Sequence, residues 1–238
     1  MEEIKLNDLI DRAELVLGYK FKDTKLLLSA LTHKSYVNES THHGNPSIDT
    51  DNERLEFLGD AVLETAVSEY IYNTYPTLTE GQMTKLRATV ICEASLSAVA
   101  RQLNLGKMMR IGRGEEATGG SNKPSILADC YESIIGASFL DGGFDAAKNF
   151  ILLTLEKVIK ENIHNFEKKD YKTNLQEFVQ SIGRDAVIYE VIGEDGPQHM
   201  KVYTVAVSYQ GRRLATASGK SKKDAEQAAA KLAIEGFK

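Results

Sequence analysis

The segment Asn52–Val62, NERLEFLGDAV, decides how the first part of the chain is interpreted. On a helix, which advances about 100° per residue, its apolar residues form one stripe. Glu53, Glu56 and Asp60 gather on nearly the opposite face. Three acids on one face repel one another, and a bound divalent cation is one way to offset that repulsion. A solvated acidic surface is the alternative interpretation.

Two further features favour a closely packed site over a solvated surface. Gly59 lies in mid-helix between the acids, where glycine costs stability unless another element approaches closely. A second acid pair, Asp129 and Glu132, lies at i, i+3 within the otherwise apolar stretch 126–140, ILADCYESIIGASFL. Phe57 projects beside the first acids and away from the apolar stripe, so we interpret it as a contact for a partner subunit.

Helical apolar spacing recurs throughout the first two-thirds of the chain, and strand-like alternation is absent there. Two turn-rich stretches, 38–52 and 110–124, are predicted to be loops. The first contains His42 and His43, which lack a third ligand at a useful spacing and are interpreted as solvated. The pattern predicts an all-α domain.

The composition becomes highly charged over residues 161–170, which we interpret as a linker. Beyond it the pattern changes to a helix, three strands with alternating apolar residues and a final helix. This order predicts a small α+β (α-β-β-β-α) domain. The predicted domains are therefore residues 1–160 and 171–238. Three apolar residues of the latter's first helix are expected to pack on the sheet: Leu175, Phe178 and Val179.

The formal net charge of -5 is unusual for a protein that binds nucleic acid. The charge is unevenly divided, because residues 171–238 carry 10 basic and 8 acidic side chains, whereas the remainder carries 19 and 26. The acidic first domain therefore needs cations to approach a polyanion. No apolar run approaches the roughly 18 residues of a membrane span. Cys92 and Cys130 lack the spacing of a metal site, which favours reduced thiols in a cytoplasmic protein.

The stretch NERLEFLGDAVL closely resembles the signature of the bacterial ribonuclease III family. Three further stretches match: LGYKFKDTKLLLSALTHKSY, LTEGQMTKLRA and ILADCYESIIGA. The tail resembles a double-stranded-RNA-binding domain through residues 172–177, the Gly196-Pro197 turn and residues 219–226. Together these resemblances cover essentially the whole chain. They imply a homodimeric endoribonuclease that uses Mg²⁺, with Mn²⁺ as a substitute, to cut double-stranded RNA into products with 5′-phosphate and 3′-hydroxyl ends, in rRNA and mRNA processing.

The resemblance also implies roles for individual residues. Glu53 and Glu80 match accessory acids, of which Glu80 belongs to a dimer-related second-metal position; by itself, Glu80 is an ordinary acid in the first turn of a helix. Phe57 matches an aromatic side chain that contacts the other subunit through the nuclease domain. Asp60 and Glu132 are the expected catalytic residues. The carboxylates matching metal ligands are Glu56, Asp60, Asp129 and Glu132.

The predicted RNA contacts come mainly from the tail, residues 171–238, which is expected to recognise the shape of A-form RNA. Lysines at a helix N-terminus are suited to phosphate binding. The tail contacts are Gln176, Glu177 and Gln180 on the first helix, His199 after the Gly196-Pro197 turn, and Lys220, Lys222 and Lys223 at the start of the last helix. Basic residues of the stretch 110–124 are also expected to reach RNA, although a plain surface loop is almost as good an interpretation: Arg110, Arg113 and Lys123.

Three other functions are open to a chain of this kind. A non-catalytic regulator that binds double-stranded RNA is the main alternative, and the presence of all four metal-ligand acids counts against it. A phosphohydrolase acting on small nucleotides has no use for a tail that binds double-stranded RNA. The third alternative is a structural, ribosome-associated protein that retains only the fold.

Overall fold

The computed structural model of the protein describes residues 2–42, 50–167, 171–183, 185–197 and 200–237. The chain divides into two compact units, Met1–Asn162 and Ile163–Lys238. This division falls inside the stretch predicted to be a linker. That stretch is helical as far as Glu167, so its first part is not an irregular connection.

Helices account for the regular structure of the first unit. The longest begins at Pro124 and is interrupted at Gly143, whose φ of +78° is not helical. Within the described part of the chain, no helix combines the length and apolar character needed to cross a membrane. The helices are α1 (Glu2–Leu17), α2 (Thr24–Ala30), α3 (Lys34–His42), α4 (Glu53–Thr74), α5 (Glu80–Val90), α6 (Glu93–Gln102), α7 (Arg113–Glu116) and α8 (Pro124–Glu167).

The core of the first unit is made largely by α4 and α8, which supply several fully buried side chains: Leu63, Val67, Tyr131, Ile134 and Ile135. The start of α5 is fixed by a capping box, in which the backbone N–H of Gln82 donates to Thr79 Oγ1 and the Gln82 side chain accepts from the backbone N–H of Thr79. Apolar burial and capping therefore agree with the helical spacing seen in the sequence.

The two predicted loops contain more regular structure than expected. Residues 38–42 belong to α3, whose last turns are supported by a bond from Ser40 Oγ to the carbonyl oxygen of Tyr36 at 2.9 Å. The second stretch contains α7 and a 3₁₀ turn at Gly120–Asn122. The loop prediction was therefore wrong for these parts, because local hydrogen bonds order polar residues that carry turn-like composition. His43 lies outside the described residues.

The second unit has the predicted order of elements, α9 (Tyr171–Ile182), β1 (Ile188–Asp195), β2 (Val202–Tyr209), β3 (Arg212–Gly219) and α10 (Lys222–Glu235). The strands form one antiparallel sheet in the order β1-β2-β3. β2 and β3 are joined by Gln210 and Gly211, both with positive φ, as a tight two-residue hairpin turn requires. α10 is capped by Ser221, whose side chain accepts from the backbone N–H of Asp224.

The core of the second unit lies between the sheet and the two helices. Its buried residues are Leu175, Val179, Val207, Ala229, Ala230 and Ala233. Phe178 does not join them: it stays 40% exposed and packs beside Phe237, with ring centroids 4.9 Å apart. An all-α unit followed by an α-β-β-β-α unit confirms the predicted fold class.

Candidate metal centre and nucleic-acid interface

Two glycines allow α4 and α8 to touch backbone to backbone. A Cβ atom added to Gly59 would lie 1.8 Å from the carbonyl oxygen of Glu132, and one added to Gly136 would lie 2.3 Å from that of Leu55. No residue with a side chain fits at either position without moving a helix. The close approach expected from Gly59 is therefore confirmed, and it brings the acids of the two helices together.

A buried serine reinforces this crossing at the start of α4. Ser133 Oγ lies 2.7 Å from the carbonyl oxygen of Asp129 and 3.1 Å from that of Asn52, the residue immediately before α4. Ser133 and Asn52 are both buried, so water does not compete for these contacts. This hydroxyl links the segment of α8 that carries the second acid pair to the N-terminus of the helix that carries the first acids.

Three carboxylates converge between the helices. Oxygen atoms from Glu56, Asp129 and Glu132 all lie within 4.8 Å of one another, and each side chain belongs to a half-buried residue. Asp60 is exposed and lies outside this group, although its charge acts on Glu132. Of the four predicted metal ligands, the structure therefore gathers three closely, with the fourth beside them.

The pKa values of this group reflect burial and mutual repulsion, which outweigh the opposing charge of Lys34 on Glu56 and Asp129. Burial, followed by the charges of Asp60 and Asp129, raises the pKa of Glu132 to about 8. Burial and then the charge of Asp129 raise the pKa of Glu56. The pKa of Asp129 is also raised, first by burial and then by Glu93. Half-buried carboxylates that share one small space, and that offer only oxygen ligands, suit a hard divalent cation.

Glu53 lies on the same helix but is directed elsewhere. Its Oε1 atom accepts from Lys34 Nζ at 2.7 Å, and this contact lowers the pKa of Glu53. It does not belong to the three-carboxylate group. The sequence analysis did not identify Lys34 as a partner of Glu53. The one indication in the sequence was that Lys34 lies in LTHKSY, part of a stretch that matches the family.

Glu80 is also separate from the group within one chain. It is the first residue of α5, and its Oε1 atom accepts from Thr84 Oγ1 at 3.0 Å. With Glu64, Ser68 and Arg87, it lines an open cavity of about 650 Å³. One chain alone therefore does not bring Glu80 to the carboxylates of α8.

The start of α3 lies between the three-carboxylate group and the stretch 110–124. Ser35 Oγ accepts from the backbone N–H of Gly112 at 2.9 Å and lies 2.8 Å from Nδ1 of His33. Burial lowers the pKa of His33, and the charges of Glu115 and Asp129 act in the opposite direction. Sequence reasoning missed His33 and Ser35, which belong to the same LTHKSY stretch as Lys34.

The basic residues of this stretch are engaged with other side chains. Arg113 contacts Glu39, with Nε–Oε1 at 3.4 Å, and Lys123 Nζ lies 2.5 Å from Glu115 Oε1. The guanidinium of Arg110 lies over the ring of Tyr36, 4.4 Å from its centroid. An RNA contact by these side chains stays a prediction.

Phe57 lies at the surface, with 83% of its area exposed. It lines an open groove of about 980 Å³ together with apolar and polar residues, including Leu26, Val37 and Leu140. Leu140 is itself 54% exposed. The expected exposure of Phe57 is confirmed, and apolar side chains share its groove with charged ones, including Glu53 and Arg54.

The predicted RNA-binding residues of the tail differ in their surroundings. Glu177 and Gln180 are exposed on α9, as are the lysines at the start of α10: Lys220, Lys222 and Lys223. Gln176 instead turns toward the sheet, where its Oε1 atom accepts from the backbone N–H of Val187 at 3.1 Å. Its Nε2 atom is buried and has no partner among the described residues. His199 lies outside the described residues.

Comparisons with known proteins agree with this architecture. A family model described as Ribonuclease-III-like matches residues 23–159, and one described as Double-stranded RNA binding motif matches residues 171–236. The chain is 45% identical over 231 residues to a Ribonuclease 3 of Desulforamulus reducens, covering 97% of this chain and 92% of that protein. It is 44% identical over 237 residues to a Ribonuclease 3 of Clostridium acetobutylicum, covering 100% and 99%.

A solved structure leads to the same family. The nuclease domain of Ribonuclease III from Campylobacter jejuni superposes with a TM-score of 0.56 at 44% identity, covering 62% of this chain and 96% of that one. With a family model over more than half of the chain and relatives of this similarity over nearly its full length, the chain belongs to the ribonuclease III family.

Proposed function

We propose that this chain cleaves double-stranded RNA by hydrolysis that depends on Mg²⁺ or Mn²⁺. The observation that carries the proposal is the convergence of Glu56, Asp129 and Glu132 between two helices in contact, with Asp60 beside them. The domain that matches the double-stranded RNA binding motif supports the choice of substrate.

Each residue has a distinct part in this proposal. Glu56, Asp129 and Glu132 hold the cation, and Asp60 contributes its carboxylate from the exposed side of the same centre. Asp60 and Glu132 are the residues we assign to catalysis. When bound, a divalent cation activates water as a Lewis acid and neutralises charge that develops on the phosphate. Gly59, Gly136 and Ser133 fix the distance between the two helices and so position the carboxylates.

Glu53 and Glu80 are assigned accessory roles. Glu53 forms an ion pair with Lys34, and this pair places one positive charge next to the carboxylates. We propose that this charge helps to orient a phosphate of the RNA backbone. Glu80 is assigned to a second metal position formed only in the dimer, which agrees with its separation from the three-carboxylate group in one chain.

The proposed assembly is a homodimer through the first unit. Phe57 and Leu140 form an exposed apolar patch beside the acids, and such a patch on an otherwise charged surface favours a subunit contact. The Campylobacter jejuni nuclease domain is described as having a region involved in dimer formation, which supports the same assembly here.

The dimer is tested by replacing the central aromatic residue. Phe57→Ala is expected to weaken self-association by about 30-fold, the effect of losing one buried aromatic contact, as measured by light scattering over a concentration series. Leu153→Ala is the matched control, because Leu153 is a 70% exposed apolar residue of the same unit outside the Phe57 groove. Equal dimerisation of the two variants would exclude Phe57 from the interface.

The proposed products carry 5′-phosphate and 3′-hydroxyl ends, and the proposed setting is rRNA and mRNA processing in the cytoplasm. The free thiols Cys92 and Cys130 are compatible with a reducing compartment. One experiment tests the reaction: the full chain is incubated with long double-stranded RNA in Mg²⁺, in Mn²⁺ and in EDTA, and the ends are analysed by sensitivity to phosphatase and to a 5′-phosphate-dependent exonuclease. We expect cleavage in both metals, none in EDTA, and products with 5′-phosphates.

The same experiment distinguishes the alternative function, a non-catalytic regulator that binds double-stranded RNA. Retained binding without cleavage in any divalent metal would favour the regulator. The half-buried carboxylates, whose pKa values are raised, argue against it, because a protein that only binds RNA gains nothing from holding like charges together at a cost in stability.

A further inference from the structure

We propose that Glu194, at the end of β1, limits the affinity of the second unit for RNA by holding Lys222, one of the lysines assigned to phosphate binding, in an ion pair. This inference rests on the proposed binding of double-stranded RNA. Glu194 was not identified in the sequence analysis. Its ion pair distinguishes Lys222 from Lys220 and Lys223, which have no ion pair among the described residues.

The contacts form a small cluster at one end of the sheet. Glu194 forms a salt bridge with Lys201, and its Oε1 atom lies 3.7 Å from Nζ of Lys222. The ring of Tyr203 lies beneath both lysines, with their Nζ atoms 5.6 and 5.5 Å from its centroid. β1, β2 and α10 each contribute to this cluster, so a single carboxylate connects the sheet to the start of the last helix.

Glu194 and Lys201 stabilise each other's charged forms. The hydrogen bond from Lys201, followed by its charge and that of Lys222, lowers the pKa of Glu194. The same contact raises the pKa of Lys201. Glu194 therefore carries its negative charge under the conditions in which RNA binds, directly beside lysines that face solvent.

A phosphate that approaches Lys222 meets this negative charge. The side chains of Lys222 and Glu194 are 59% and 36% exposed, so water screens their ion pair, but a phosphate still has to compete with Glu194 for Lys222. The carboxylate nevertheless stays near the phosphate, and like charges at such short range repel. Lys220 and Lys223 have no ion pair among the described residues and do not face this competition.

The consequence is a specific change in binding when the charge is removed. Glu194→Gln keeps the size and polarity of the side chain but leaves Lys222 free to pair with phosphate. We expect duplex RNA to bind about fivefold more tightly at low salt, from the loss of one short-range repulsion. The slope of log affinity against log salt concentration is expected to steepen by about 0.9, the value for one added phosphate contact.

The experiment uses the full chain in EDTA with a fluorescent RNA duplex of about 20 base pairs, long enough for one such domain. Glu190→Gln is the matched control, because Glu190 is an exposed acid of the same strand without an ion pair among the described residues. A second arm compares Lys222→Gln with the double variant that carries both Glu194→Gln and Lys222→Gln. The gain from Glu194→Gln is expected to disappear in that background, because we assign it to Lys222 and not to Lys201, the other lysine that Glu194 pairs.

Each outcome decides between specific claims. Tighter binding and a steeper slope for Glu194→Gln, absent from Glu190→Gln and dependent on Lys222, support the inference. Equal effects of the two single variants, or a gain that persists without Lys222, overturn it in favour of a general net-charge effect. If the unaltered chain does not bind the duplex at all, the proposed binding of double-stranded RNA fails as well.

Discussion

The two units use charged side chains in opposite ways. In the first unit, Glu56, Asp129 and Glu132 share a half-buried space with no cation from the protein between them. In the second, Glu194 lies at the surface between Lys201 and Lys222, and opposite charges are paired. The difference teaches that net charge alone is a poor guide to function. A nuclease centre needs uncompensated acids where a cation is to bind, whereas an RNA-binding surface needs positive charge that stays available to solvent.

The largest expected effect comes from replacing one carboxylate of the half-buried group. Glu132→Gln is expected to lower the rate of double-stranded RNA cleavage in Mg²⁺ by at least about 100-fold, because a cation site loses one of its three close ligands. Glu161→Gln is the control, since Glu161 is an exposed acid of the same helix. Initial rates on long double-stranded RNA measure both. Full activity of Glu132→Gln would contradict the assignment.

The next largest effect concerns the helix crossing that creates the cluster. Gly59→Ala is expected to lower the free energy of unfolding by about 3 kcal/mol, because the new methyl group would collide with the backbone of α8. Gly81→Ala is the control: it also lies on a helix, and nothing is within 4 Å of the added carbon. Urea unfolding measures both. Equal stability of the two variants would show that the crossing is not close-packed.

The third effect is a difference between the two units in how their stability depends on pH. The pKa of Glu132 is raised to about 8 without metal, so the folded state binds a proton that the unfolded state releases. Stability in EDTA is therefore expected to fall as the pH rises from about 4.5 to 8, and Glu132→Gln is expected to reduce that loss, with a remainder from Glu56 and Asp129, whose pKa values are also raised. Glu194 has a lowered pKa, so its contribution is kept over this range and is lost only at more acidic pH.

Urea unfolding in EDTA, followed separately by probes in each unit, checks this difference. The first unit of the unaltered chain is expected to lose stability toward pH 8, while the second does not. A first unit whose stability is independent of pH between 5 and 8 would mean that Glu132 is not held in an uncompensated environment.

Much of the candidate metal centre was predictable from the sequence, because the spacing of residues on one helix is a local property. The positions of Glu56 and Asp60 on one face, the i, i+3 pair on α8 and the meaning of Gly59 all follow from counting along one helix. The pairing of Lys34 with Glu53 was not predictable in this way, because it joins residues 19 apart on different helices.

In the second unit too, features set by local sequence were predictable, whereas features set by tertiary packing were not. The order of its elements and the cap at Ser221 follow from alternation and capping chemistry. Phe178 was expected on the sheet but packs against Phe237, and Gln176 turns toward Val187. The positions of Phe178 and Gln176 depend on how side chains pack between the helix and the sheet. The spacing of residues along one helix does not determine that packing.

The central claim is that the carboxylates between α4 and α8 bind a divalent cation, and calorimetric titration with Mg²⁺ tests it most directly. Titrations at pH 7 in two buffers of different ionisation enthalpy measure both binding and proton release. We expect Mg²⁺ to bind with release of protons from Glu132, because its pKa of about 8 must fall when the cation binds. In Glu132→Gln we expect weaker binding without that release. Binding of equal strength to both proteins, with no proton release from either, would contradict it.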